Sequence, residues 1–190
     1  HLAAQTSSQI SMENPCQDLN SNLISLKNIL EFFENYKAAP KLILFSSSMA
    51  VYGNASLPPM GFSEDQHCSP ASVYGYTKLI SEYILSKSHI PSISARLFNV
   101  YGKGQDLQNM KQGMLSIYMT DMIKNGKIHI KGSIKRTRDF IHVQDVVNAF
   151  INLINKSMQN NLSNHEVINI CTGDETPVQQ IVEFMTEAYF

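Results

Sequence analysis

The chain has 190 residues, 43% of them hydrophobic and 16% charged, with a formal net charge of −1. That is the composition of a globular protein, with length for one domain or for one domain and a small lobe. A near-neutral chain carries no field for gathering nucleic acid. Without an apolar run near the roughly 20 residues that span a bilayer, no membrane partner is expected either.

His1-Leu2-Ala3-Ala4 reads as the end of a buried strand entered from further upstream, with no initiator Met and no signal-peptide lead-in. The chain is therefore expected to be trimmed. From Pro15 to Tyr36, apolar residues recur at Leu19, Leu23, Leu26, Leu30 and Phe33. This is one face of a long helix, capped by Asn14 and opened by Pro15. Lys41–Phe45 is a short apolar run of buried-strand type ending in Ser46-Ser47-Ser48, and a loop with Pro58-Pro59 and Ser69-Pro70 follows. Helices are predicted over Val73–Lys87, Met114–Lys124 and Gln144–Ile154. Strands are predicted over Ile93–Phe98, Ile128–Ile130, Asp139–Val143 and Val167–Cys171. The Asn-rich stretch Asn155–Asn164 is predicted as a loop, and Thr176-Pro177 as the cap and first residue of a final helix. Strands alternating with helices imply βαβ units and a parallel sheet covered by helices. Cys16, Cys68 and Cys171 are widely spread and form no C-x-x-C pair, which predicts reduced thiols and a cytoplasmic setting.

Tyr74-Gly-Tyr-Thr-Lys78 is a Tyr-x-x-x-Lys word at the start of a predicted helix. Residues four apart share a helix face, so the lysine ammonium can approach the phenol. A free phenol is a poor base at neutral pH, and a fixed positive charge beside it favours the phenolate. Such a tyrosine can take a proton from a sugar hydroxyl. A second match, Tyr83-Ile-Leu-Ser-Lys87, lies nine residues on, which at ~100° per residue is the opposite face of the helix. Tyr83 has no polar strand end to meet it and is read as a surface or subunit-contact residue. Tyr74 has such a partner in Ser48, at the end of a strand where a parallel sheet presents side chains to ligands.

Phe45-Ser-Ser-Ser-Met-Ala-Val-Tyr-Gly53 followed by Ser72-Val-Tyr-Gly-Tyr-Thr-Lys78 resembles the active-site pair of the extended short-chain dehydrogenase/reductases, the NAD-dependent epimerase/dehydratase group. Arg96-Leu-Phe-Asn-Val-Tyr-Gly102, Arg136-Thr-Arg-Asp-Phe-Ile-His-Val143 and Asn169-Ile-Cys-Thr-Gly173 resemble three further signatures in the family's order, and His1-Leu-Ala-Ala-Gln5 is similar to its cofactor-flanking strand end. The resemblance implies an α/β fold, a Rossmann-type doubly wound parallel sheet with a small substrate-binding lobe, whose N-terminal βαβ portion is missing. The NAD-binding part would comprise residues 1–98 and 140–172, and the nucleotide-sugar lobe 99–139 and 173–190. Ser48, Tyr74 and Lys78 carry over as the catalytic set. Ala3, Ala4, Gln5, Asn22, Ser46 and Phe98 carry over as cofactor contacts beside Tyr74 and Lys78. Asn99 and Arg138 match positions that contact the substrate diphosphate, where arginine offers a fork of donors to phosphate oxygens. Arg96 is read as structural, and His142 and Asp145 as helix-start residues. The resemblance also implies a homodimer in which Pro15–Tyr36 and Val73–Lys87 pair with their copies as a four-helix bundle.

Two departures matter. No glycine-rich turn able to cradle a pyrophosphate follows a first strand; it is expected upstream of His1, with the residue that selects NAD or NADP. A polypeptide of these 190 residues alone is accordingly expected to bind NAD poorly. Lys131 stands before Gly132, where many uridine-specific relatives carry an aromatic residue that stacks on the base. Family members that dehydrate or decarboxylate the sugar place a Glu two residues after the catalytic Ser or Thr, and some epimerases acting beside the carbonyl place a Cys there. This chain has Met49 and Ala50. What remains moves one hydride and one proton, which is enough for epimerisation at carbon four. The alternatives are a nucleotide-sugar reductase or dehydratase of the same family, or a cofactor-sensing module without turnover.

Overall fold

The computed structural model describes residues 1–36, 39–53, 61–160 and 164–189; Pro58-Pro59 lies outside them. The chain divides into two compact units, His1–Leu97 with Val147–Ile170, and Phe98–Val146 with Cys171–Phe190. This boundary falls several residues later than the 139/140 boundary expected from the sequence.

The first unit is built on a three-stranded parallel sheet. Its strands β1 (Ile43–Ser48), β2 (Ser92–Leu97) and β6 (His165–Ile170) lie in the order β1-β2-β6. Central β2 is buried at five successive residues, the pattern of a strand covered on both faces. Outside β1, His1 adds backbone bonds, its amino group donating to the Leu44 carbonyl and its own carbonyl accepting from the Ser46 N–H.

Helix α1 (Ser8–Glu13), which no periodicity announces, is capped by the Ser7 hydroxyl. The long helix expected from Pro15 forms as α2 (Pro15–Leu19), a π-helical turn over Asn20–Ile24 and α3 (Ser25–Tyr36), with the Asn14 side chain accepting from the Gln17 N–H as its cap. The apolar stripe is only partly the buried face: Leu26 and Leu30 are buried, whereas Leu19 is exposed and Asp18 and Asn22 are buried in its stead. Helix α4 (Val73–Lys87) begins where the sequence predicts, its Gly75 N–H capped by Ser72. Leu26 and Leu30 of α3, Leu85 of α4, and Ile43, Phe45 and Ile90 form one apolar cluster.

In the second unit, β3 (Asn99–Tyr101) pairs parallel with β5 (Phe140–His142), and β4 (Thr137–Arg138) pairs antiparallel with β7 (Thr176–Pro177). Helices α5 (Met114–Asn125) and α7 (Val178–Tyr189) complete it, and α6 (Val143–Asn160) runs from this unit into the first.

Three sequence expectations are corrected. Ile128–Ile130 is not a strand; the His129 N–H bonds the Asp121 carboxylate instead of a ladder partner. Thr176-Pro177 does not cap α7 but pairs with β4, and the first N–H groups of α7 find the carbonyls of Arg136 and Ile134. Asn155–Asn160, predicted as loop, continues helix α6.

Candidate active site

Ser48 closes β1, and its hydroxyl accepts from the Ala50 N–H at 3.2 Å, starting the short 3₁₀ turn Met49–Tyr52. The first turn of α4 lies directly against that turn: a Cβ added to Gly75 would come within 2.6 Å of the Ala50 carbonyl oxygen. Glycine beside Tyr74 thus permits the approach that lets the Ser48 hydroxyl hydrogen-bond the Tyr74 side chain. From the other side, the buried Ser11 hydroxyl accepts the Tyr74 backbone N–H at 3.0 Å, satisfying one of the open donors at the helix start.

One turn further, Lys78 is 2% exposed. Its Nζ donates to the Ser46 carbonyl at 2.8 Å and lies 4.8 Å from the Phe45 ring centroid and 5.7 Å from that of Tyr74. Among the described residues it forms no ion pair, so a buried ammonium with three donors has one oxygen partner. Burial draws it from its ordinary value near 10.5 down to about 8, against the opposing pull of Asp18 and Glu82.

The Tyr74 phenol is 8% exposed. Burial pushes it above its ordinary value, the Ser48 hydrogen bond works the other way, and the Asp18 charge pushes it up again. The expectation that the lysine charge draws the phenol down is not met. Lys78 directs its ammonium to the Ser46 carbonyl, and the negative charge of Asp18 stands nearby.

Behind this pair lies a polar cluster that sequence periodicity does not reveal. Asp18, fully buried, accepts from Gln5 Nε2 at 2.5 Å, Asn22 Nδ2 at 3.2 Å and Thr77 Oγ1 at 3.0 Å. Asn22, 2% exposed, also accepts the Gln5 N–H and donates to the Gln5 carbonyl and Thr77 hydroxyl. Of the other expected cofactor positions in this unit, Ala3 is exposed, Ala4 half-buried, and the Ser46 hydroxyl donates to the His1 carbonyl at 3.2 Å.

A second buried network fixes the opposite end of the 3₁₀ turn. Arg96 reaches Glu82 of α4 through Nε at 3.0 Å and Nη2 at 2.7 Å, and donates to the Tyr52 hydroxyl at 2.9 Å. Tyr52 in turn donates to Asn169, and Ser47 to Glu82.

In the second unit, Phe98 is half-buried, and the Asn99 amide donates to the Asp139 carbonyl at 2.8 Å. Arg138 donates to the Thr137 carbonyl at 2.8 Å and, among the described residues, forms no ion pair. Burial lowers its pKa, the neighbouring Arg136 charge adds to this, and Tyr118 opposes it. Asp139 is structural, holding the Thr172 and Gly173 N–H groups. His142 accepts the Gln144 N–H, and Asp145 sits in the first turn of α6. Lys131 is exposed.

A parallel sheet whose strand end carries the Ser48 hydroxyl, with Tyr74 and an unpaired buried Lys78 on the helix packed against it, is an α/β arrangement of the Rossmann class. The chain belongs to the NAD dependent epimerase/dehydratase family, which it matches over residues 1–171. It is 35% identical over 189 residues to a putative UDP-glucose 4-epimerase of Methanocaldococcus jannaschii, covering 97% of this chain and 58% of that one. It is 30% identical over 188 residues to a dTDP-4-dehydro-6-deoxyglucose reductase of Escherichia coli, covering 96% and 56%. Its fold superposes with a TM-score of 0.84 on the UDP-glucose 4-epimerase of Thermotoga maritima solved with UDP-glucose, at 33% identity, covering all of this chain and 60% of that one. The chain thus spans somewhat over half the length of these relatives. No helix among the described residues is long and apolar enough to cross a membrane.

Proposed function

We propose that the protein is an NAD-dependent nucleotide-sugar epimerase acting at carbon four, with Tyr74 as the general base. The observation that carries this reading is the half-buried Ser48 at the end of β1 with the buried Tyr74 and Lys78 of α4, a phenol with a hydroxyl beside it and a lysine with donors to spare. Tyr74 takes the proton of the sugar hydroxyl and returns it after the sugar has turned over, while Ser48 orients the reacting oxygen. NAD, when bound, supplies the acceptor and then the donor of hydride at that carbon.

The residues present fit the nicotinamide-ribose end of the cofactor. The two unused N–H groups of Lys78 suit a ribose diol, and Ala3 and Ala4 are proposed to flank it. Gln5, Asn22, Ser46 and Phe98 complete the proposed contacts. Asn22, whose amide is engaged with Gln5, Asp18 and Thr77, holds that wall rather than reaching out from it. Arg138 and Asn99 are proposed to bind the substrate diphosphate, supported by the absence of an ion pair at Arg138 among the described residues. Residues 1–98 with 140–172 then serve NAD and 99–139 with 173–190 the nucleotide sugar. A homodimer through α2–α3 and α4 is part of the proposal; Phe32, Tyr36, Ile80 and Tyr83 on those helices are exposed. A cytoplasmic setting is proposed because none of the three cysteines forms a disulfide.

The test is incubation of the full-length protein with NAD and a panel of UDP-, dTDP- and GDP-hexoses, followed by proton NMR. The expected result is the carbon-four epimer at equilibrium without net cofactor reduction. The E. coli relative favours a second reading, a nucleotide-sugar reductase; its reverse reaction in the same assay, net formation of one NADH per ketosugar released, would select it.

A further inference from the structure

Asp18 belongs to no motif, yet it is a fully buried carboxylate whose three hydrogen-bond partners, Gln5, Asn22 and Thr77, are all neutral. An ionised carboxylate is an acceptor only, and three donors converging on it satisfy its oxygens without cancelling its charge. Each donor comes from a different segment: the stretch after His1, the π-helical turn and the second turn of α4. Thr77 lies between Tyr74, whose carbonyl its hydroxyl also reaches at 2.9 Å, and Lys78, the next residue along the chain. We propose that Asp18 is a positioning residue of the Tyr74 and Lys78 pair, locking the catalytic turn through Thr77 and holding both groups in their protonated forms at rest.

The electrostatic surroundings leave that role to Asp18. Against the pair, β1 brings the neutral Ser48. Helix α1 brings the neutral Ser11, its Glu13 being exposed. Further along α4, Glu82 is matched by the Arg96 guanidinium from β2, and His165 of β6 interacts with Glu82, Arg96 and Glu166. Asp18 is thus the one carboxylate acting on both groups that has no cation bonded to it among the described residues. Its charge raises the cost of a phenolate at Tyr74 and lowers the cost of an ammonium at Lys78. The resting pair is a protonated phenol beside a protonated amine, and proton loss from Tyr74 awaits the binding of a positive group.

The inference rests on Tyr74 as the acid–base residue, but its test needs no turnover. The tyrosinate band of Tyr74 is titrated in the full-length protein as the ultraviolet difference against Tyr74→Phe, in the parent and in each variant background. In Asp18→Asn the midpoint is expected to fall by on the order of one pH unit. Asp18→Ser, whose hydroxyl can donate or accept, is expected to shift it in the same direction. Thr77→Val, which breaks the lock but keeps the charge, is expected to lower thermal stability and leave the midpoint in place. Parental midpoints in both Asp18 variants, an equal shift in Thr77→Val, or failure of both Asp18 variants to fold would overturn the proposal. A protein with the shifted midpoint but no turnover on any nucleotide sugar would instead sink the epimerase reading.

Discussion

Helix α4 carries the same five-residue word twice, and in both copies the lysine approaches its own tyrosine ring, at 5.7 and 5.3 Å, but the surroundings differ. Tyr74 is 8% exposed and Tyr83 64%. Lys78 is buried against Phe45 and the Ser46 carbonyl, whereas Lys87 lies 5.3 Å over the ring of Tyr83, on the exposed side of the helix. At the first copy the sheet end supplies a hydroxyl, α1 and Ser72 hold the helix start, and Asp18 adds a charge. The second copy, among the described residues, has no serine hydroxyl bonded to its phenol. Tyr-x-x-x-Lys only sets two side chains on one face; the chemistry comes from what that face meets.

The comparison can be broken most severely at the lysines. Lys78→Met in the full-length protein is expected to lower turnover by about 10²–10⁴-fold, the range for losing a general acid–base partner. Lys87→Met should leave turnover unchanged in the same assay.

Next in size is the network that holds the 3₁₀ turn against α4. Glu82→Ala strands the Arg96 guanidinium in a site where both side chains are 5% exposed, and should cost about 3–5 kcal/mol in urea unfolding. The matched surface pair, Lys27 and Glu31, is half exposed, so Glu31→Ala should cost at most about 0.5 kcal/mol.

A pH series sharpens the contrast. Lys78 holds its proton less tightly folded than unfolded, about 8 against 10.5. Activity that needs its ammonium should fall as pH rises through about 8. Over the same window the unfolded chain binds more protons at this group than the folded one, so this group's contribution to stability should rise with pH, up to its unfolded pKa. Opposed trends in rate and in unfolding free energy, both absent from Lys78→Met, are the expected signature.

Much of this was legible in the chain. Val73 starts α4 as predicted, with Ser72 found as its cap, and Asn14-Pro15 caps and opens α2 as predicted. Ser48, Tyr74 and Lys78 were legible as words in order. Asp18 was not, because a period count admits only apolar residues to the buried face, and here that face begins with a carboxylate and an amide. For the same reason Leu19 was assigned to the core and is 42% exposed. Ile128–Ile130 failed as a strand because β-propensity without a partner ladder is insufficient, and Thr176-Pro177 failed as a cap because pairing with β4 took the residues first. The raised Tyr74 pKa depends on burial and on a carboxylate far away in sequence, neither of which spacing encodes.

The most direct test sets Tyr74→Phe beside Tyr83→Phe in one full-length background, with turnover and NAD affinity measured for both. Each change removes one phenolic oxygen from the same helix. Tyr74→Phe is predicted to abolish measurable epimerisation while still binding NAD, and Tyr83→Phe to stay within about threefold of the parent, as surface substitutions do. Activity of Tyr74→Phe within that same threefold of the parent would contradict the account.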